Sequence, residues 1–197
     1  MSLTRLSVFA TLLFSLALFA SACNRSNGDD PKEAAEERNE AKFGTKAAEE
    51  DAKFLVDIYS SSLMEVRSSS AAKQKAYSQE VKDLAASMES AHMAMNTELQ
   101  ALAATKGVSL PTDLTEAQKD KLNRTGEKTG MDFDEKYLNE LIDDHKEAIR
   151  IAEKASSQAE DPAIKAFFVN GLPELRHHLD MATALKDRMK DAKKEAR

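Results

Sequence analysis

The chain has little of what stabilises or interrupts most small folds. Its 197 residues include one cysteine, no tryptophan, six glycines and four prolines. A single cysteine excludes an internal disulfide framework and a cysteine-rich metal site, so the apolar core alone must stabilise the fold. The sequence also has no glycine-rich phosphate loop. Its many alanine, lysine and glutamate residues instead indicate one soluble helical domain.

Positive charge is also scarce. There are 28 lysine and arginine residues against 34 aspartate and glutamate residues, which gives a net charge of −6 without any basic cluster. An acidic surface repels polyanions. We therefore expect no nucleic-acid partner, and no attraction between the protein surface and anionic lipid.

One long apolar run is present, near the N-terminus. Arg5 precedes an apolar stretch from Leu6 to Phe19, and small residues follow it. The stretch is too short to span a bilayer as a stable helix and is typical of a secretion signal. We assign residues 1–22 to a signal peptide.

The only cysteine follows this signal directly. The segment from Ala20 to Cys23 resembles the bacterial lipobox, although Ala20 stands where leucine is usual. The resemblance implies cleavage before Cys23, which then carries lipid and anchors the chain to a membrane without spanning it. The alternative is an ordinary signal cut nearby, with Cys23 left as a free thiol. We expect a lipid-anchored envelope protein facing the periplasm. By resemblance to enteric lipoprotein sorting rules, Asn24 in place of aspartate after the cysteine weakly favours the outer membrane.

The next segment is polar and charged. Residues 23–45 predict a flexible, lipid-anchored tether. Within it, Asp30 followed by Pro31 is a helix-start signal, so a transient helix is expected there.

Residues 46–192 carry apolar side chains at spacings of three and four, which predicts four long helices. The predicted helices cover about 46–76, 79–106, 133–157 and 162–192. A long connection with a capping box at Thr115 separates the second helix from the third. Such a link favours an all-α, ferritin-like four-helix bundle with one long crossover. Pro173 is expected to kink the fourth helix.

The two predicted hairpins are also similar to each other. Ser78 to Lys82 begins the second helix much as Asp161 to Lys165 begins the fourth. The similarity predicts a weak internal duplication.

Four polar residues interrupt the apolar stripes, one on each predicted helix: Glu65, His92, His145 and His178. The first two lie about 13 and 14 residues from the turn at Ser78, and the last two about 16 and 17 residues from Asp161. Each pair should therefore meet across its hairpin at one height. Three imidazoles and a carboxylate could bind iron, zinc, manganese or copper. The alternative is a hydrogen-bonded polar layer that only fixes helix register.

Other residues extend or compete with this site. Three carboxylates close to the histidines in sequence are candidates to orient the rings: Glu89, Asp144 and Glu174. A di-iron site would instead use two Glu-x-x-His pairs with further carboxylates, and the matching residues are Glu89, His92, Glu174, His177, Glu65 and either Glu140 or Asp144. Copper would be favoured by thioethers at Met88, Met93, Met95 and Met181. No reaction is predicted, because an enzyme would need an open coordination position that a sequence does not reveal.

Several short motifs occur in order along the chain. They are Glu65-Val66, Val81-Lys82, His92 with Asn96, the segment from Gly107 to Pro111, Phe133-Asp134 with Tyr137, Asp144-His145, Asp161-Pro162 and Leu172 to Leu179. Over residues 50–188 the chain resembles the DUF4142 family of bacterial envelope proteins. The resemblance implies a ferritin-like four-helix bundle and specifies no reaction. The family carries an aspartate directly before the second-helix histidine, where this chain has Ala91.

Overall fold

The computed structural model describes residues 30–195. These residues form helices and no strand, which confirms the all-α class. The helices are α1 (Pro31–Lys42), α2 (Lys46–Lys75), α3 (Gln79–Lys106), α4 (Glu116–Gly126), α5 (Gly130–Gln158) and α6 (Pro162–Glu195). The predicted signal peptide and Cys23 lie outside the described residues. Within residues 30–195, no helix is long and apolar enough to cross a membrane.

Local signals explain where the long helices begin and end. The Ser78 side chain accepts a hydrogen bond from the Val81 amide at the start of α3. Gly107 ends α3 in the left-handed conformation, at φ 68°, where a side chain would be strained. The predicted capping box between Thr115 and Gln118 forms and starts α4. The sequence therefore predicts these boundaries through contacts made within one turn.

Helix α1 differs from the flexible tether expected over residues 23–45. Asp30 caps the helix by accepting hydrogen bonds from the amides of the first turn. Ala35 is buried, and α1 packs against α2. The Asn39 side chain donates to the Ser109 carbonyl at 2.9 Å and accepts from the Ser109 amide at 2.7 Å. Residues from Asp30 onward therefore belong to the folded domain.

The four long helices pack side by side as a helical bundle. The closest packing is within the hairpins α2–α3 and α5–α6, and the hairpins meet where α2 packs on α5 and α3 on α6. Helix α4 lies in the connection between the hairpins and contacts α2 and α5. The core forms two apolar clusters. One includes Phe54, Leu55, Ile58, Leu99 and Phe168, and the other includes Val81, Met88, Phe133, Leu138 and Leu185.

The structure also supports the predicted similarity between hairpins. Asp134 at the start of α5 accepts hydrogen bonds from the Tyr77 and Ser78 amides, both at 2.8 Å. Asp51 at the start of α2 accepts from the amides of Glu160 and Asp161, at 3.1 Å and 2.7 Å. Each hairpin thus caps the turn of the other with a buried carboxylate. These two aspartates are separated along the chain by the same interval as Ser78 and Asp161, as a duplication would require.

Candidate metal site

The polar layer is the set of four side chains predicted to share one height, and it lies between the two apolar clusters. Each helix of the bundle supplies one member, and the exposed fractions are 1% for Glu65, 2% for His92, 0% for His145 and 5% for His178. On every helix, one cluster ends before the polar residue and the other begins after it. The structure therefore brings the four predicted residues into one buried level.

The three imidazoles of this layer face one another. The ring centres of His92 and His145, and of His145 and His178, are 5.4 Å apart, and those of His92 and His178 are 5.7 Å apart. One ring nitrogen from each lies within 4.8 Å of the other two. Histidine nitrogens bound to one tetrahedral zinc lie about 3.4 Å apart, so small side-chain rotations would bring these nitrogens to ligand distance.

Glu65 contacts two of the rings from one side. Its Oε1 atom lies 3.1 Å from Nδ1 of His145, and its Oε2 atom lies 3.6 Å from Nε2 of His92. The group of converging ligand atoms consists of the histidines, and Glu65 lies beside it as a neighbouring carboxylate.

Hydrogen bonds to the outer nitrogens orient the rings. Nδ1 of His145 lies 3.0 Å from the Leu141 carbonyl oxygen, and because a carbonyl only accepts, Nδ1 carries a proton in this contact. Nδ1 of His92 lies 3.1 Å from Oγ of Ser62. The sequence does not indicate this contact of Ser62, because the partner of a hydroxyl on an apolar stripe lies on another helix.

Several atoms of the layer are left without a hydrogen bond. We call a buried side-chain nitrogen or oxygen unsatisfied when it has no hydrogen-bond partner within residues 30–195. The unsatisfied atoms are Nε2 of His92, Nε2 of His145, Nδ1 of His178, both carboxylate oxygens of Glu65, and Oδ1 of Asn96 one turn along α3. The Nδ1–H of His145 is directed at Leu141, so its closeness to Glu65 provides charge attraction without a well-aligned hydrogen bond.

The charges of the layer are strongly coupled. Burial opposes ionisation of Glu65, but the positive charge available on His92 and His145 outweighs it and lowers the pKa of Glu65. Burial likewise opposes protonation of His145, but the Glu65 carboxylate outweighs it and raises the pKa of His145. Burial lowers the pKa of His92. Burial and the other two histidines lower the pKa of His178 to about 4. At neutral pH the layer thus contains one carboxylate and at least two neutral imidazoles, the form that binds metals.

A family model described as a domain of unknown function, DUF4142, matches residues 36–185, a range that includes the whole polar layer. The chain belongs to the DUF4142 family. Curated proteins and solved structures give no match to it.

The three carboxylates predicted to orient the rings have different surroundings. Glu174 of α6 lies beside the layer, with Oε1 3.8 Å from Nε2 of His178. Glu89 instead pairs with Lys73. Asp144 pairs with a lysine of α4, at 2.5 Å and 2.7 Å. Closeness to a histidine in sequence did not predict where these carboxylate side chains point, because neighbouring residues on a helix point to different sides.

The di-iron arrangement is not assembled in the DUF4142 chain. Glu89 pairs with its lysine away from the layer, and His177 is exposed. Glu140 accepts a hydrogen bond from Thr125 at 2.6 Å. The expected carboxylates therefore do not surround a common centre. The four methionines do not surround the layer either: Met93 is 55% exposed, Met88 belongs to one apolar cluster, Met181 packs against the same cluster, and Met95 alone lines a cleft together with His92 and His178.

One cleft leads from the surface to the layer. The α3–α6 cleft has a volume of about 210 Å³, and its lining includes His92 and His178. Its other polar lining residues are Glu98, Asn170 and Glu174. The layer of this DUF4142 protein is thus buried but accessible from one side.

Proposed function

We propose that this protein binds a divalent transition metal between His92, His145 and His178, with Glu65 as the carboxylate that balances its charge. The observation that supports the proposal most strongly is the set of unsatisfied atoms. Each of the three rings has one buried nitrogen without a hydrogen-bond partner in residues 30–195, and these rings converge on one point. A metal ion would give all three nitrogens a partner at once.

The cost of leaving these atoms unsatisfied argues against a purely structural layer. Each costs about 1–3 kcal/mol when buried without a partner. Several other buried polar side chains of the described residues are satisfied: Ser69 and Tyr137 hydrogen bond to each other at 3.0 Å, and Asp51 and Asp134 each accept two backbone amides. A layer that only fixed helix register would be expected to pair its members in the same way.

Charge and donor type narrow the class of ligand. One carboxylate beside two neutral imidazoles suits a divalent cation, whose binding would displace any proton from the third. Imidazole-rich sites favour zinc, copper or iron, and manganese prefers oxygen-rich sites. The outer hydrogen bonds from Nδ1 of His145 to Leu141, and between His92 and Ser62, would orient two rings as in known metal sites.

We also propose that the protein is a ferritin-like four-helix bundle with one long crossover, anchored by lipid on Cys23 in the bacterial envelope. The long connection containing α4 and the two short hairpin turns support the topology. The apolar run and the lipobox-like Ala20 to Cys23 segment support the anchor. Mass spectrometry of the mature N-terminus would detect diacylglycerol on Cys23. A thiol-bearing or differently cleaved N-terminus would contradict this part of the proposal.

Metal analysis of the purified chain tests the main proposal. After reconstitution with zinc, copper or iron and removal of free metal, we expect one ion per chain in the wild type and in His177→Ala, which removes an exposed histidine. The double variant His92→Ala with His145→Ala should lose it. No bound metal in a folded wild type would contradict the proposal. It would favour the alternative of a non-catalytic envelope protein that works through its surface and uses the layer to fix helix register.

A further inference from the structure

The α3–α6 cleft exists because its walls carry small residues. Ala91 and Ala94 of α3 line one wall, and Gly171 of α6 lines the other. In the described part of the chain, a Cβ atom added at Gly171 would meet no atom within 4 Å apart from its chain neighbours and the adjacent backbone of its own helix. The space beside this glycine is therefore open, and the cleft does not depend on a strained backbone.

The polar layer is closed on one side and open on the other. His92 and His178 line the cleft. Glu65 and His145, at 1% and 0% exposure, lie deeper in the bundle. His92 and His178 therefore separate the cleft from the deeper residues of the layer, and each has one buried nitrogen without a hydrogen-bond partner in residues 30–195, Nε2 of His92 and Nδ1 of His178. Three protein ligands leave one position of a tetrahedral metal for water or substrate, and the cleft beside His92 and His178 provides space for it.

We propose that the metal keeps an exchangeable coordination position facing the α3–α6 cleft, where a small uncharged donor molecule binds. This inference rests on the proposed metal site and adds that the site is open to ligands. Such a site could bind or activate a ligand, whereas a closed one would only hold the fold together.

The size and charge of the cleft define the class of ligand. Its volume of about 210 Å³ is below the range of about 300–1,000 Å³ typical of pockets for larger organic ligands. Glu98 and Glu174 line it, and they disfavour anions. Asn170 offers an amide for a hydrogen bond, and Phe167 and Met95 supply apolar contact. These features fit a neutral molecule of a few non-hydrogen atoms with a nitrogen or oxygen donor.

Cobalt-loaded protein and imidazole test this inference. Cobalt(II) is used because its visible spectrum reports its coordination, and imidazole is a neutral nitrogen donor small enough for the cleft. We expect saturable spectral changes in the wild type and in Gly171→Ala. Gly171→Leu fills the cleft from α6 and should weaken imidazole binding at least about tenfold while cobalt stays bound. Ala91→Leu fills it from α3 and provides a second variant if the first does not fold.

The outcomes separate the two proposals. Stoichiometric cobalt with an imidazole response that the leucine variants suppress supports the open position. Stoichiometric cobalt with no response, or with the same response in wild type and both folded leucine variants, overturns it and leaves the metal site intact. A folded wild type that binds no cobalt, checked also with zinc and copper, overturns both. Azide should gain affinity in Glu98→Gln while imidazole does not, and an unchanged azide affinity would contradict the assignment of an uncharged ligand.

Discussion

Replacing His178 with leucine should stabilise the metal-free protein. The residue is buried, with 5% of its surface exposed. Its Nδ1 atom is unsatisfied, and its Nε2 atom is 3.8 Å from Glu174, beyond hydrogen-bond distance. Because its pKa is lowered to about 4, the ring is neutral at neutral pH and makes no ion pair there. Leucine has a similar size, and the neighbouring residues Leu175 and Ala182 on α6 are buried apolar residues.

The expected gain follows from removing one unsatisfied polar atom. We expect the free energy of unfolding of the metal-free protein to rise by about 1–3 kcal/mol in His178→Leu. For a domain of this size that corresponds to an increase in Tm of about 2–12 °C. The same variant should lose the stabilisation that metal gives the wild type, since binding to the folded state alone stabilises it. The proposed metal binding and the stability of the metal-free protein thus make opposite demands on this residue.

Urea unfolding monitored by circular dichroism measures this effect, because the chain has no tryptophan whose fluorescence could report unfolding. Both proteins are first treated with a chelator. His177→Leu is the matched control, because the neighbouring histidine is exposed and its replacement should change stability by less than about 0.5 kcal/mol. If metal-free His178→Leu is less stable than wild type by about 1 kcal/mol or more, the ring is a structural member of the layer and our reasoning is wrong.

Three further predictions concern charge and capping. The lowered pKa of His178 means that the unfolded chain binds its proton first as pH falls below the ordinary value of 6.5, so this group removes stability between that pH and about 4. His145, with a raised pKa, acts in the opposite direction as pH falls, so the effect of His178 is measured by comparing wild type with His178→Leu. Between about pH 7 and about pH 5, the free energy of unfolding of the metal-free wild type should fall by about 1–2 kcal/mol more than that of His178→Leu, after allowance for screening by solvent in the cleft. Urea unfolding of both proteins at the two pH values measures this, and an equal loss of stability in wild type and His178→Leu would contradict the prediction. Glu65→Gln should weaken metal binding about 10- to 100-fold in competition titrations, because it removes the charge beside His145, whereas Glu89→Gln at the Lys73 pair should not. Asp134→Ala removes a buried acceptor of two backbone amides and should lower the free energy of unfolding in urea by about 3 kcal/mol or more. The control Asp180→Ala replaces an exposed aspartate and should leave stability unchanged. Equal stability of the two variants would show that this cap does not hold the turn.

Much of the architecture was predictable because it depends on signals within a few residues. The starts of α3 and α4 follow from Ser78 and Thr115, whose side chains accept amides three residues ahead. The shared height of the polar layer followed from counting residues out from the turns, since helical rise per residue is nearly constant. The structure confirms both predictions.

Features that depend on contacts between distant residues were not predictable in the same way. Helix α1 docks because Asn39 pairs with the Ser109 backbone, and nothing near residue 39 in sequence indicates that partner. Asp144 turns toward a lysine of α4, although it adjoins a histidine of the layer. The α3–α6 cleft reflects small residues on two helices that meet only in the fold. Periodicity predicts which side of a helix is buried, but the partner helix decides what each side chain contacts.

The central claim is that three histidines of one buried layer bind a metal ion, and anomalous diffraction from crystals of the zinc- or copper-loaded protein tests it most directly. The account predicts one anomalous peak in the polar layer, about 2.0–2.1 Å from a ring nitrogen of each of His92, His145 and His178. A metal-treated crystal whose layer shows no such peak, with the three rings hydrogen bonded to one another or to water instead, would contradict it.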